Sequence, residues 1–230
     1  MRTFDKKALL EAHPFFRGMS NEIIENLLPH AIMRKVKKGT MIFRKGDAGT
    51  NLFAVSAGAV RISTPSEQGK EAVFNLIIPG EIFGEVAALD GRERTADAVA
   101  IEDSELLVIE RRDFLPLIRA HPELAIRLLE LLCWRLRKTS GQVEDIVFLD
   151  LQLRLAKALL YLYRRNPSEA PDANIRITQQ DLSQMIGASR ESTNRELQLW
   201  QKRKWLELKR GGIILFKPHE LERFVQDAGE

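Results

Sequence analysis

Cysteine is nearly absent from this 230-residue chain, where Cys133 stands alone. That excludes an internal disulfide and any iron–sulfur cluster held by several cysteines. Cys133 lies between leucines in a helical pattern and is expected to act as a small buried hydrophobe. Long hydrophobic runs are missing too, and none approaches the roughly 18 residues of a membrane-crossing helix. The opening MRTFDKKALLEAHPFF lacks an uninterrupted apolar core, so a cytoplasmic protein is expected rather than an exported one. Histidine is scarce: His13, His30, His121 and His219 are scattered, with no flanking pattern of a haem ligand and no metal-ligand spacing. A nucleophile–base pair is lacking as well. Near the glycine-bearing segment described next, Glu85 and Asp90 are acidic candidates, but no base or metal set accompanies them. No catalytic residue and no metal ligand is assigned.

A strong charge of one sign is also missing. Residues 1–150 carry 21 Lys+Arg against 22 Asp+Glu, whereas residues 151–230 carry 14 against 10. So small an excess does not identify a nucleic-acid binder, but it directs attention to the C-terminal part. The 44% hydrophobic content suffices for a packed core, and the length suits one large or two ordinary domains.

What is present begins with strands. After a helix over Asn21–His30 capped by Ser20, residues 31–110 read as short alternating strands. Examples are Met41–Phe43, Leu52–Val55, Ala59–Ile62 and Ala72–Ile78, with glycine-bearing turns between them. That pattern predicts a β-roll or barrel. It is interrupted at Phe83–Ala96, FGEVAALDGRERTA, which combines a glycine, a carboxylate, a small apolar turn, an arginine and a hydroxyl. Backbone N–H groups at Gly84 and Val86 can meet phosphate oxygens, and Arg94 can neutralise the phosphate through a planar fork. Glu85 can accept from a ribose 2′-hydroxyl, and Thr95 can add one hydrogen bond. A surface turn with a Glu–Arg ion pair would use the same residues.

Helices follow, one near Asp113 and a long one from Pro122 to about Val147. The long helix carries Leu129, Leu132, Leu136, Thr139, Val143 and Ile146 at three- and four-residue steps. A stripe this long predicts a paired helix and a homodimer; packing onto its own domain is the alternative. Thr139 breaks the stripe, so its hydroxyl needs a partner: a ligand, or the carbonyl one turn back.

A helix from Leu151 to about Arg165 and a loop, residues 166–174, lead to the last unit. Thr178 can cap a helix from Gln179 to Ile186, Gly187 can form the turn, and Ser189 can cap a second helix. That second helix opens with Arg190, Glu191 and Ser192 and carries Arg195 one turn later; Leu197, Trp200 and Leu206 would anchor it. Lys209–Gly212 and the apolar run after it read as a hairpin. The whole is a winged helix-turn-helix. Its second helix would place Arg190 and Arg195 to grip guanine and Glu191 to accept from cytosine in a major groove. Thr178, Gln179, Ser189 and Ser192 would contact phosphates. The run Lys202–Lys204 reads equally as a solvated helix end or a DNA contact.

Together these motifs resemble the CRP/FNR family of bacterial transcription regulators, in the family's order and over essentially the whole chain. FGE and RTA resemble its phosphate-binding cassette, Thr139–Ser140 its purine contacts, and Phe148–Asp150 its hinge. The Ser189–Arg195 segment resembles the recognition helix of its cAMP-receptor branch. The resemblance implies an α+β fold with three parts: a nucleotide-binding roll at 1–120, a dimerisation helix and hinge at 121–150, and a DNA-binding domain at 151–230. It further implies cAMP as the allosteric ligand, a TGTGA-like palindrome in double-stranded DNA, and RNA polymerase as a partner. Thr139–Ser140 favours cAMP, whereas Thr95 resembles members that bind cGMP; cGMP or both nucleotides stay open. A nucleotide-binding subunit of a kinase or channel would share the roll but would not need residues 189–195.

Overall fold

The computed structural model describes residues 6–66, 71–165 and 174–228, which form two compact units, Met1–Arg135 and Leu136–Glu230. The first unit opens with α1 (Lys6–Ala12) and α2 (Asn21–Leu27), the latter extended by a 3₁₀ turn, Leu28–His30. The Ser20 hydroxyl accepts from the Ile23 N–H, as its cap position requires. Strands β1 (Ala31–Val36), β2 (Met41–Phe43), β3 (Asn51–Ala57), β4 (Val60–Pro65) and β5 (Glu71–Ile77) come next. After β6 (Ile82–Phe83) and α3 (Glu85–Asp90), β7 (Asp97–Ala100) and β8 (Ser104–Glu110) complete the roll.

Its two antiparallel four-stranded sheets have the orders β1-β8-β3-β6 and β2-β7-β4-β5. Side-chain alternation explains how they pack. In β3, Phe53 and Val55 join Val60, Ile77, Phe83 and Leu106 in one cluster that draws on both sheets. Their neighbours Leu52 and Ala54 point the other way, into a cluster with Leu10, Ile23, Phe114 and Leu124 from the helices. Both faces of β3 are therefore buried, and its central residues are all apolar. Burying each large aliphatic side chain contributes about 1.5–3 kcal/mol.

Helix α4 (Arg111–Ala120) leads into α5 (Pro122–Phe148). Leu124 and Leu128 of α5 are buried and Leu131 partly so, which fixes the inward face of its N-terminal half. Most of the expected stripe, about a quarter turn from that face, is bare: Leu129 is 60% exposed, Leu136 69% and Val143 56%, while Leu132 is half-buried. Cys133 is exposed, contrary to the sequence expectation. The reason is geometric. At 100° per residue Cys133 falls roughly opposite Leu124, Leu128 and Leu131, so its leucine neighbours in sequence are not its neighbours in the core.

The second unit holds the end of α5, then α6 (Leu151–Arg164), β9 (Asn174–Ile175), α7 (Gln179–Met185) and α8 (Arg190–Lys202). Strands β10 (Leu206–Lys209) and β11 (Gly212–Leu215) and helix α9 (Pro218–Asp227) close it. The Asp150 carboxylate starts α6 by accepting from the Leu153 N–H at 2.9 Å. Leu155, Ala156, Leu159 and Leu160 form the buried face of α6. The sheet order is β10-β11-β9, so Asn174, expected in a loop, pairs with Ile214 instead; residues 166–173 of that loop lie outside the described residues. Among the described residues no helix is long and apolar enough to cross a membrane.

Candidate ligand cavity and nucleic-acid interface

The cassette is built on a left-handed glycine. Gly84 has φ +78° and ends β6 while starting α3, a short helix where the sequence suggested only a turn. A Cβ at this position would stand 2.7 Å from Arg94 Nη1, so the site needs glycine for space as well as conformation. The first N–H groups of α3, those of Glu85, Val86 and Ala87, have no acceptor within the helix.

Arg94 is 4% exposed. Its Nη1 donates to the Gly84 carbonyl at 2.9 Å and its Nη2 to the Asn51 carbonyl at 2.7 Å. Its guanidinium lies 4.2 Å from the centroid of Phe43. Among the described residues its buried Nε has no acceptor. Burial draws the Arg94 pKa below its ordinary value, while Glu85 and Asp47 oppose that shift.

Glu85 is 2% exposed. Its Oε1 accepts from Arg135, which also donates to the Ile82 carbonyl, and its buried Oε2 has no partner among the described residues. Two arginines and one carboxylate thus surround a cavity of about 70 Å³ lined by Gly84, Glu85, Arg94, Arg135 and aromatic Phe43 and Phe83. Val86 and Thr95 line the same cavity, both exposed at its rim. The chemistry fits a cyclic nucleotide: an anion meets a net positive lining, and the orphaned Oε2 can receive a hydroxyl hydrogen. The volume is small beside the roughly 300 Å³ of ordinary ligand pockets, so side chains must shift on entry.

Arg135 was not singled out in the sequence, although a signal existed. It continues the Leu124, Leu128, Leu131 series at a four-residue step, and an arginine on a buried helix face needs a buried partner. Thr139 and Ser140 lie four and five residues further along α5, in the second unit, both exposed.

In that second unit α7, a turn and α8 form the helix-turn-helix. The turn is carried by Gly187 at φ +64°. Thr178 caps α7 by accepting from the Asp181 N–H at 3.0 Å, and its hydroxyl donates to the Asp181 carboxylate. Ser189 caps α8 by accepting from the Ser192 N–H at 3.1 Å, and the two serine hydroxyls are 2.9 Å apart. These hydroxyls are engaged in capping, which fixes the start of each helix. Gln179 is half-buried in the first turn of α7.

Buried Thr193, Glu196, Leu197 and Trp200 hold one face of α8, with Gln152 of α6 donating to Glu196 at 2.8 Å. Arg190, Glu191 and Arg195 are left exposed together at its N-terminal half. That is the end that meets base edges when such a helix enters a major groove. At the other end Arg203 packs over Trp205, 5.2 Å from its ring centroid.

Comparison with known proteins matches both units. Residues 33–121 match the family model of the cyclic nucleotide-binding domain, and residues 153–224 that of the Crp-like helix-turn-helix domain. Over 188 residues the chain is 37% identical to the cyclic AMP receptor protein of Thermus thermophilus, spanning 82% of this chain and 85% of that one. It is 29% identical over 212 residues to the CRP-like cAMP-activated global transcriptional regulator of Mycobacterium tuberculosis, spanning 90% and 94%. The solved structure of the c-di-GMP responsive global regulator CLP of Xanthomonas campestris superposes with a TM-score of 0.74 at 25% identity, spanning 86% and 99%.

Proposed function

Since this chain belongs to the CRP/FNR family of transcription regulators, we propose that it is a cAMP-gated homodimer reading a TGTGA-like palindrome. Membership itself makes it a cyclic-nucleotide-binding, DNA-binding regulator rather than an enzyme. The observation that carries the ligand reading is the buried pair Glu85 and Arg94 facing one cavity, each with a polar atom that lacks a partner among the described residues. A phosphate supplies the acceptor that Arg94 Nε lacks, and a ribose hydroxyl supplies the donor that Glu85 Oε2 lacks. Gly84 and Val86 add backbone N–H groups, and Thr95 adds a hydroxyl at the rim.

Dimerisation is supported by the bare stripe on α5, because an exposed apolar series of that length is normally covered. Thr139 and Ser140 on this helix are assigned to the purine by resemblance, Ser140 from the partner subunit. Coupling runs through Arg135. Nucleotide entering the small cavity competes for Glu85, to which Arg135 is paired, and so biases the position of α5. That change would reach the hinge at Phe148–Asp150 and set the two copies of α8 about one DNA turn, roughly 34 Å, apart.

Arg190, Glu191 and Arg195 read bases, while Thr178, Gln179, Ser189 and Ser192 set the register on phosphates. Contact with RNA polymerase and a cytoplasmic location belong to the same proposal. The exposed hydroxyl of Thr95 favours a second reading, in which cGMP binds as well. Calorimetric titration of the native protein and Arg94→Leu with cAMP and with cGMP tests the cassette. Arg94→Leu should lose detectable binding of either nucleotide while remaining folded. Retained tight binding would remove Arg94 from the site.

A further inference from the structure

A cavity of about 270 Å³ in the second unit is walled by the C-terminal half of α5, by α6 and by the end of α7. Lys138, Gly141, Gln142 and Asp145 recur at three- and four-residue steps, so they share one face of α5, nearly opposite the stripe of Leu136 and Val143. Pairing through Leu136 and Val143 therefore leaves this face available, with Ile146, the last residue of the stripe, turned into the cavity wall.

Four cations meet at the cavity: Arg137 and Lys138 from α5, and Arg154 and Lys157 from α6. Among the described residues Asp145 is the one carboxylate in the lining, and it is ion-paired with Lys157. Among the described residues neither Arg137 nor Arg154 has a carboxylate partner, and the Nε of Arg154 is buried without an acceptor. A guanidinium N–H taken out of water without an acceptor is a standing cost that a ligand oxygen would remove. Beside these charges stands an aromatic face. Lys138 Nζ lies 4.6 Å and the Arg165 guanidinium 5.0 Å from the centroid of the Tyr161 ring, so the ring is already engaged, and Met185 and Ile186 supply the apolar wall.

The geometry points to a binding site for an organic phosphate. Its phosphate or diphosphate is held by Arg137, Lys138 and Arg154, and its flat apolar portion lies against Met185 and Ile186. Two arginine forks and a lysine suit a multiply charged phosphate. The volume is at the lower edge of small-molecule pockets, which run from roughly 300 Å³ upward. The site also touches the DNA-reading element. A Cβ placed on Gly187 would lie 3.6 Å from Arg154 Nη1 and 3.7 Å from Ile146, so the helix-turn-helix turn rests on the arginine that grips the ligand. Occupancy would thus alter how α7 and α8 are seated, giving this unit an effector of its own.

Calorimetric titration of the full-length protein with ADP, inorganic pyrophosphate and adenosine tests the assignment. The expected result is saturable binding of one ADP per chain, with pyrophosphate weaker and adenosine weakest, and no displacement by excess cAMP. Arg154→Gln should weaken ADP by about tenfold or more. Arg137→Gln, at an exposed position that the fold does not need, should weaken it several-fold. Three results would overturn the site: no saturable binding of ADP or pyrophosphate at millimolar concentration, unchanged affinity in both variants, or displacement of ADP by cAMP. The test does not require cAMP to bind, so failure of the cassette reading would be seen separately.

Discussion

Glu85→Gln isolates the most specific feature of the cassette. In the native protein Oε1 of Glu85 accepts from Arg135 and the buried Oε2 has no partner among the described residues, in a side chain whose residue is 2% exposed. Glutamine keeps the shape but offers one oxygen and one NH₂ group. If its oxygen faces Arg135, an NH₂ stands where a ligand hydroxyl must donate. If it flips, the NH₂ faces the Arg135 guanidinium. Either way one charge-assisted hydrogen bond is lost. Such a bond contributes about 1.5–3 kcal/mol, or about ten- to a hundredfold in nucleotide affinity. Titration calorimetry with cAMP and with its 2′-deoxy analogue measures this as a double-mutant cycle. Native protein should lose a similar factor with the deoxy analogue, and Glu85→Gln should lose little more when the hydroxyl is removed. Equal further losses in the two proteins would mean that Glu85 does not receive the ribose hydroxyl.

The remaining predictions concern the fold, the dimer and the reader. His13 is buried, and burial lowers its pKa from the ordinary 6.5 to about 4, against weaker opposition from the backbone carbonyls of Glu81 and Val55. Because the folded state disfavours the proton, this contribution is complete above pH 6.5 and is lost as pH falls toward 4. Urea unfolding should show about 2 kcal/mol less stability at pH 5 than at pH 8 from this residue alone, a difference absent in His13→Phe; identical pH profiles would contradict it. Leu136→Glu puts a charge in the exposed stripe and should yield a monomer by sedimentation, whereas an unchanged dimer would show that the stripe is not the interface. Glu191→Ala should relax base preference at one position of each half-site by roughly 1–3 kcal/mol, and an unchanged binding profile would exclude Glu191 as a reader.

Much of this structure was legible in the sequence where a residue carries its own local chemistry. Ser20, Thr178 and Ser189 each cap a helix because a short oxygen-bearing side chain can reach the N–H groups of the first turn, whereas the Asp150 cap of α6 emerged only from the structure. Alternation marked the strands, and the order of capped helix, glycine turn and capped helix marked the reader. What stayed hidden depended on which side of an element faces the core. The leucines around Cys133 suggested burial, but only packing shows that the inward face of α5 runs through Leu124, Leu128 and Leu131. The same unknown concealed Arg135, whose partner Glu85 is fifty residues away. Helix α3 was hidden for another reason. Six residues between two left-handed glycines have too little length for a periodic signal, so the segment read as a turn. Strand β9 is only two residues long and is defined by its pairing with β11, which no local pattern encodes.

The central claim is that cyclic nucleotide at the cassette controls DNA reading by α8. The most direct measurement is the affinity of the full-length protein for a fluorescent TGTGA-N6-TCACA duplex at fixed salt, without nucleotide and then with cAMP or cGMP. The account predicts tight binding with cAMP and weak binding without it, and binding with cGMP too would make Thr95 the next residue to change. Equal affinity under all three conditions would contradict nucleotide control and leave a DNA-binding protein whose cassette serves another purpose.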